Sequence, residues 1–510
     1  MLSSNNIILE TLAVLREQGV LNYVLCPGSR NAGIVHSICQ IEDFYTYTAT
    51  DERSAGFMAI GIALATNLPT AVVVTSGSAL ANLYPAACEA YYQHIPLVFI
   101  SADRPAAWIN QMDGQTMPQP NALGQMVKMS VNLPSDNLWH ANRLLNEVCI
   151  TAYKRMPQGP VHINIPLEEP IYDFKATSLP KARIIRYANF EALDTSRQEY
   201  KYAIEPFHGR NTLIVIGQLS EHRTPSKQKL ERIASKFNIV AENLSNLPLN
   251  LYCNASTIDW TKLDGIDHVI TLGGHIINKE LKQYLRQRHL KEHWHVSEDG
   301  AIADLFCQQT MAIQADIDTF LDVFYTYATT EIYPLELPKK EQKAEDGRID
   351  ILNNLYQLLP PNAALVLANS SSVRLAQLAG NKPCESTLCN RGINGIEGTL
   401  STAVGYAMVM TNQPVFVVIG DLAFFYDQNA LWQKSLPSNL HILLFNDGGG
   451  SIFNTLPLPG EAPLSIEAIT GKHTLSAKHV ANLHGIRYMQ GKENLEEFIN
   501  SQETSILEII

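Results

Sequence analysis

Short apolar runs recur along this chain, closed by glycine, serine or an acidic residue and separated by segments of helical periodicity. In the first third, Ile7 to Gln18 repeats its apolar positions at the helical period and stops at Gly19. Tyr23-Val24-Leu25-Cys26, Tyr45 to Thr48, Ala71 to Val74, Pro96 to Ile100 and Val161 to Pro166 read as strands. Runs of four to six apolar residues without alternation are buried on both faces, as in parallel sheets. From Glu52 through Ala65 the chain is rich in alanine and glycine, which predicts a helix packed closely on a neighbour. Leu213 to Ile216, Ile239 to Ala241, His268 to Leu272 and His293 to Val296 repeat the strand pattern. The last third predicts helices over Ile349–Leu359, Leu400–Met410 and Tyr426–Lys434. Its strands are Ala364 to Leu367, Val415 to Ile419, His441 to Phe445 and Ile506 to Ile510. Strands alternating with helices predict an α/β protein built of doubly wound parallel sheets. We expect three domains, 1–177, 178–338 and 339–510. A linker over Ser178–Glu205 and the charged stretch Pro338–Gly347 mark the joins.

Composition narrows the class. A chain of 510 residues has room for three domains of roughly 150 residues each. With 46% hydrophobic and 17% charged residues it is an ordinary globular protein. No apolar run approaches the roughly 20 residues of a membrane span, and the start, Met1-Leu2-Ser3-Ser4-Asn5-Asn6, lacks a basic segment, so no secretory leader is expected. The eight cysteines are scattered, and the one close pair, Cys384 and Cys389, has no histidine beside it. Reduced thiols in the cytoplasm are the expectation. A net charge of −12 argues against nucleic acid or an anionic membrane as the main partner. An anionic substrate would need a local cluster of arginine and lysine. His289, His293 and His295, with Trp294 between two of them, read as an edge strand and not as a zinc site. Ser76-Gly77-Ser78 lacks the nucleophile-elbow pattern, and no nucleotide-binding glycine fingerprint is present.

The candidate chemistry centres on Val415–Pro457. Two strands end there in oxygen ligands: Gly420-Asp421-Leu422 after the first, Asn446-Asp447-Gly448-Gly449-Gly450 after the second. Open α/β sheets bind ligands at such ends. Hard oxygens suit Mg²⁺ shared with substrate phosphates, and glycines let backbone approach a diphosphate. Taken alone, the stretch fits two ordinary tight turns equally well. Two further features bear on the choice: Glu52 opens the small-residue helix, and the apolar Ile396 sits in a glycine-rich loop. Thiamine diphosphate chemistry uses all three. It needs a metal-anchored diphosphate, a carboxylate at N1′ of the aminopyrimidine, and a bulky apolar wedge that keeps the two rings bent.

The sequence resembles the MenD family, the thiamine diphosphate-dependent synthases of menaquinone biosynthesis. The matching stretches run through most of the chain. They are Cys26-Pro27-Gly28-Ser29-Arg30, Asp51-Glu52-Arg53 with Gly56-Phe57, Thr75-Ser76-Gly77-Ser78-Ala79, Ala102-Asp103-Arg104-Pro105, Asn390-Arg391-Gly392 with Gly395-Ile396 and Gly398, Gly420-Asp421-Leu422, and Ile452-Phe453 with Leu456-Pro457. The resemblance implies a pyrimidine-binding first domain with Glu52 at N1′, a central α/β domain, and a diphosphate-binding third domain. Asp421, Asp447 and the Gly449 carbonyl would hold Mg²⁺ or Mn²⁺. Ile396 would be the wedge, with Gly420, Leu422, Ile452 and Phe453 also lining the cofactor. It implies a homodimer or homotetramer whose active sites lie between subunits. The implied reaction is decarboxylation of 2-oxoglutarate and conjugate addition of the resulting carbanion to isochorismate, giving 2-succinyl-5-enolpyruvyl-6-hydroxy-3-cyclohexene-1-carboxylate and CO2. Ser29, Arg30, Gln115, Lys279, Ser370, Arg374 and Arg391 would bind these multiply carboxylated substrates, and arginine's planar fork suits that task. Two departures stand out. Gly114 precedes Gln115 where the family often has asparagine, and the second metal ligand falls on Asp447 in the register without a gap, or on Asn446 if the glycines are aligned. The competing reading is another thiamine diphosphate-dependent 2-oxoacid decarboxylase or an acetolactate-type synthase.

Overall fold

The computed structural model describes the chain except for residues 188–197, 249, 329–332, 342–345, 381–383, 385 and 456–462. Part of the expected linker, part of the charged join and the Leu456-Pro457 motif therefore lie outside the described residues.

The strands are β1 (Asn22–Leu25), β2 (Tyr45–Thr48), β3 (Thr70–Val74), β4 (Leu97–Asp103), β5 (Met129–Asn132), β6 (Val161–Pro166), β7 (Thr212–Ile216), β8 (Asn238–Ala241), β9 (Cys253–Asn254), β10 (His268–Leu272), β11 (Glu292–Ser297), β12 (Met311–Gln314), β13 (Ala364–Leu367), β14 (Ser386–Leu388), β15 (Val415–Gly420), β16 (Leu440–Phe445), β17 (Arg487–Gln490) and β18 (Ser505–Ile509). They form three six-stranded sheets, ordered β2-β1-β3-β4-β6-β5, β12-β11-β10-β7-β8-β9 and β14-β13-β15-β16-β18-β17. The sheets are parallel and α-helices lie between most successive strands, as the apolar runs predict.

The chain divides into two compact units, Met1–Ala188 with Asn390–Ile510, and Asn189–Cys389. In the first unit, Leu12, Leu15, Tyr23, Val73, Ile100, Leu145 and Ile163 belong to one buried core. The helix Glu52–Thr66 is the small-residue helix foreseen, and it packs on its counterpart Thr399–Val409. Glycine is required at the crossing. A Cβ on Gly61 would come within 2.0 Å of the Thr402 carbonyl oxygen, and one on Gly405 within 2.1 Å of that of Met58. In the second unit, alternate residues of β7 and β10 feed two cores. Ile214, Ile216 and Ile270 join Trp294 and Phe324, while Leu213, Val215 and Val269 join Leu281 and Phe306.

Four expectations are corrected. The strand carrying His293 and His295 is not an edge, because β12 pairs outside it. Thr271 Oγ1 lies 3.1 Å from His293 Nε2 and 2.9 Å from His295 Nδ1, so one hydroxyl of β10 faces both rings of β11. The end of the expected linker is helical, Gln198–Ile204. The helix after β15 begins at Asp421, not Tyr426, and the chain continues as a 3₁₀ turn over Gln428–Leu431. Strands β5, β9, β12, β14 and β17 were not foreseen.

Candidate active site

Asp421 is the first residue of the helix that leaves β15, and it is only 4% exposed. Two backbone amides orient its carboxylate. Leu422 N–H donates to Oδ1 at 2.6 Å, and Gly449 N–H, from the turn after the neighbouring β16, donates to Oδ2 at 2.8 Å. His473 Nε2 stands 3.3 Å from the same Oδ2. Its Nδ1 accepts the Leu475 N–H at 3.1 Å, and the His473 backbone N–H donates to the Gly448 carbonyl at 3.0 Å. Gly449 takes φ +143°, and a Cβ there would meet the Thr470 carbonyl oxygen at 3.0 Å. That φ lies in the range glycine alone occupies comfortably.

The two candidates for the second oxygen ligand differ sharply in surroundings. Asn446 is buried and committed. Its Nδ2 donates to the Leu475 carbonyl at 2.8 Å and to Glu508 Oε1 at 2.7 Å, while its Oδ1 accepts the Gly448 N–H at 3.2 Å. Asp447, the next residue, is exposed. Ile452 and Phe453 lie in the 3₁₀ turn that follows, with the Phe453 ring close over Gly450, whose Cβ would come within 2.7 Å of it.

Glu52 occupies the first turn of its helix because Asp51 caps it, Oδ1 accepting the N–H of Arg53 at 2.9 Å. The flanking residues latch this turn to the segment after Asp421. The Arg53 guanidinium stacks 4.3 Å from the Tyr426 ring centroid and donates to the Tyr426 carbonyl at 2.6 Å. Asp51 Oδ2 accepts Asn429 Nδ2 at 2.9 Å. Glu52 between them takes a long hydrogen bond, 3.5 Å, from Asn82 Nδ2. The negative charges of Glu52 and Asp51 add to burial in pushing the Cys26 thiol well up from its ordinary value.

Arg391 is buried at the start of the glycine-rich loop, whereas Ile396 is 38% exposed. The loop ends at Gly398, φ +82°, where a Cβ would collide with the Phe57 ring at 2.2 Å. The helix that follows is capped by buried Asp427, which accepts both the N–H and the Oγ–H of Ser401, at 2.7 and 2.8 Å. Burial raises the Asp427 carboxyl to about 6.

The Ser29–Arg30 turn lies against the end of the first sheet. Ser29 Oγ is 3.0 Å from the Tyr172 hydroxyl. Arg30 is buried, donates to the Leu167 carbonyl and pairs with Glu169, both at 3.1 Å. Gln115 takes φ +54° with its backbone close against Gly77. Gln119 clips this loop, accepting the Gly77 N–H at 2.7 Å and donating to Asn164 Oδ1 at 2.8 Å. Arg104 Nη2 donates to the Gly114 carbonyl at 3.2 Å, which brings a further cation to the Gln115 loop. It lies in a motif quoted above, so sequence held the signal for it. Nothing in the sequence pointed to Tyr172 or His473.

In the second unit, Ser370 takes φ +71° and its carbonyl accepts Arg374 Nη1 at 2.9 Å, so these two are brought together. Arg374 lies in the helix Ser371–Leu378. Lys279 opens the helix Lys279–Gln287 and is exposed. The two residues before it, Ile277 and Asn278, donate their N–H groups to buried Glu242 at 2.8 and 2.5 Å.

Residues 10–126 match the family model described as the thiamine pyrophosphate enzyme N-terminal TPP binding domain. The whole fold matches that of a benzoylformate decarboxylase from Polynucleobacter necessarius, with a TM-score of 0.75 at 18% identity over 100% of this chain and 99% of that one. A putative thiamin diphosphate-dependent enzyme from Mycobacterium smegmatis gives 0.77 at 18% identity over 99% of each. The fold is shared with these structures, and the family model together with the sequence relatives defines the class: a thiamine diphosphate-dependent enzyme. Sequence relatives narrow it. The 2-succinyl-5-enolpyruvyl-6-hydroxy-3-cyclohexene-1-carboxylate synthase of Phocaeicola vulgatus is 44% identical over 98% of this chain and 92% of its own length. That of Bacteroides thetaiotaomicron is 42% identical over 99% and 94%. The chain belongs to this synthase family.

Proposed function

We propose that this enzyme decarboxylates 2-oxoglutarate and adds the four-carbon unit to isochorismate, forming 2-succinyl-5-enolpyruvyl-6-hydroxy-3-cyclohexene-1-carboxylate and CO2 in menaquinone biosynthesis. Identity of 42–44% across nearly the full chain carries the reading. Thiamine diphosphate, when bound, supplies the electron sink that lets a 2-oxoacid lose CO2 and its carbonyl carbon act as a nucleophile.

The residues at the ends of β15 and β16 fit a metal and a diphosphate. Asp421 is held by two amides, and Oδ1, which takes only the Leu422 N–H, keeps acceptor capacity for a cation. Gly449 leaves open the space that a Cβ would fill. Asp421, Asp447 and the Gly449 carbonyl would hold Mg²⁺ or Mn²⁺, hard cations that take oxygen ligands and would supply positive charge to a diphosphate. Asn446 Oδ1 is turned into the Gly448 N–H while the neighbouring Asp447 carboxylate is exposed at the same turn, which favours Asp447 as the second ligand. Glu52 would hold a proton against the pyrimidine nitrogen, and the exposed Ile396 would wedge between the rings. Gly420, Leu422, Ile452 and Phe453 would line the cofactor and exclude water.

Ser29, Arg30, Gln115, Lys279, Ser370, Arg374 and Arg391 would bind the substrate carboxylates. Local cations are what a protein of charge −12 needs for anionic substrates. Three domains, 1–177, 178–338 and 339–510, are proposed on the distribution of one six-stranded sheet to each. A homodimer or homotetramer with intersubunit sites is proposed on the uncovered apolar side chains Trp108, Met112 and Ile393. No helix among the described residues is long and apolar enough to cross a membrane; a cytoplasmic location is proposed on the eight free cysteines. Turnover of 2-oxoglutarate plus isochorismate, measured against pyruvate, tests the function. Consumption of pyruvate in preference to 2-oxoglutarate would favour an acetolactate-type synthase instead.

A further inference from the structure

Glu89 lies in the helix Tyr84–Tyr92 and is 1% exposed. Its Oε1 accepts the Gly392 N–H at 2.8 Å and its Oε2 accepts the Ile393 N–H at 3.0 Å. Gln93 Nε2 also donates to Oε1. Three donors therefore face the group, an environment that suits the ionised acceptor and not the acid. Burial pushes the carboxyl up, and the nearby charge of Glu397 pushes the same way, so these hydrogen bonds are what keep a charge here. A buried carboxylate is expensive unless its partners are in place. An apolar side chain would serve helix packing alone. The groups that call for a carboxylate are the two peptides after Arg391.

Gly392 completes the fit. A Cβ on it would meet the Glu89 carbonyl oxygen at 2.7 Å and Oε2 at 2.9 Å. The loop is further tied at Asn390, whose Nδ2 donates to Thr402 Oγ1 at 3.0 Å, and at Gly398 under Phe57. Ile396 lies in the chain between these anchors and is exposed.

We propose that Glu89 is a positioning residue for 2-oxoacid binding: by gripping the Gly392 and Ile393 amides it sets the direction of the Arg391 guanidinium. Glu89 itself touches neither substrate nor cofactor. The proposal rests on the reading of Arg391 as a substrate contact. The test compares Glu89→Gln, Gly392→Ala and Arg391→Ala in the full-length enzyme with thiamine diphosphate and Mg²⁺. Readouts are KM for 2-oxoglutarate, kcat, and the cofactor Kd from calorimetry. Glutamine offers one acceptor oxygen in place of two, so one amide loses its partner. Both Glu89→Gln and Gly392→Ala should raise KM about tenfold or more, with kcat and cofactor Kd little changed. A merely structural Glu89 would reduce the folded fraction, lowering kcat per mole of protein at unchanged KM, and that result overturns the proposal. Should Glu89→Gln fail to fold, Gly392→Ala decides, because it keeps the carboxylate and displaces the loop; an unchanged KM there overturns the proposal as well. A normal KM in Arg391→Ala refutes the reading of Arg391 and the role of Glu89 with it. A raised KM in Arg391→Ala alone removes only the role of Glu89.

Discussion

The backbone N–H of Gly449 donates to Oδ2 of Asp421 at 2.8 Å, joining the ends of β15 and β16, which pair in parallel register from Val415 with Leu440 to Gly420 with Phe445. The bond sets the carboxylate plane against the glycine turn. Asparagine at 421 would keep the volume but lose the charge, and it would offer an amide group where one N–H now needs an acceptor. Asp421→Asn should weaken thiamine diphosphate binding in the presence of Mg²⁺ by roughly 100-fold. Calorimetric titration checks this, with an unchanged circular dichroism spectrum as the control for folding. Wild-type affinity in the variant would remove Asp421 from the proposed metal site.

Glu52→Gln should leave the fold and cofactor affinity intact, because its partner is the distant Asn82 amide and the helix is capped by Asp51. Turnover should fall by about 100-fold or more, the range expected when an acid–base group is removed. Near-normal turnover would refute the proposed role.

Gly61→Ala should destabilise the protein by about 1–3 kcal/mol or more, because the added methyl meets backbone and not a yielding side chain. Thermal denaturation measures this. A midpoint equal to that of wild type would mean the two small-residue helices can separate without cost.

Acid should weaken the fold in a defined window. Burial lowers His162 and His441 to about 4 each, below the ordinary histidine value of 6.5. Between these limits the unfolded chain binds more protons, so the stability these groups preserve is complete above pH 6.5 and lost as pH falls towards 4. Each accounts for up to about 3 kcal/mol. Asp427, raised to about 6, acts in the opposite sense: its contribution is full below 3.8 and lost as pH rises through 6. The melting temperature should therefore climb between pH 4 and 6.5, and climb more steeply in Asp427→Asn. A flat profile in both proteins would contradict the buried, neutral histidines.

Central strands were legible from composition because burial on both faces leaves an unbroken apolar run. Val415 to Ile419 and His441 to Phe445 lie within a residue of β15 and β16. The strands without an apolar run of their own, β5, β9, β12, β14 and β17, are all short edge strands of the three sheets. β12, with no fully buried residue, and β9, two residues long, carry no apolar signature. An edge strand pairs on one side only and is defined by its neighbour more than by its own side chains.

The chain's local chemistry determined which residue types stand at strand ends and loop turns: Glu52 at a helix start, Asp421 and Asp447 beside glycine, Ile396 in a glycine-rich loop. Tertiary structure alone decided their partners. Asn446 is taken up by Glu508, 62 positions away, and Glu89 meets Gly392 across 303 positions. Periodicity reports the face on which a residue lies within its own element. A hydrogen bond between distant segments depends on sheet order and helix crossing, which arise only when the cores close.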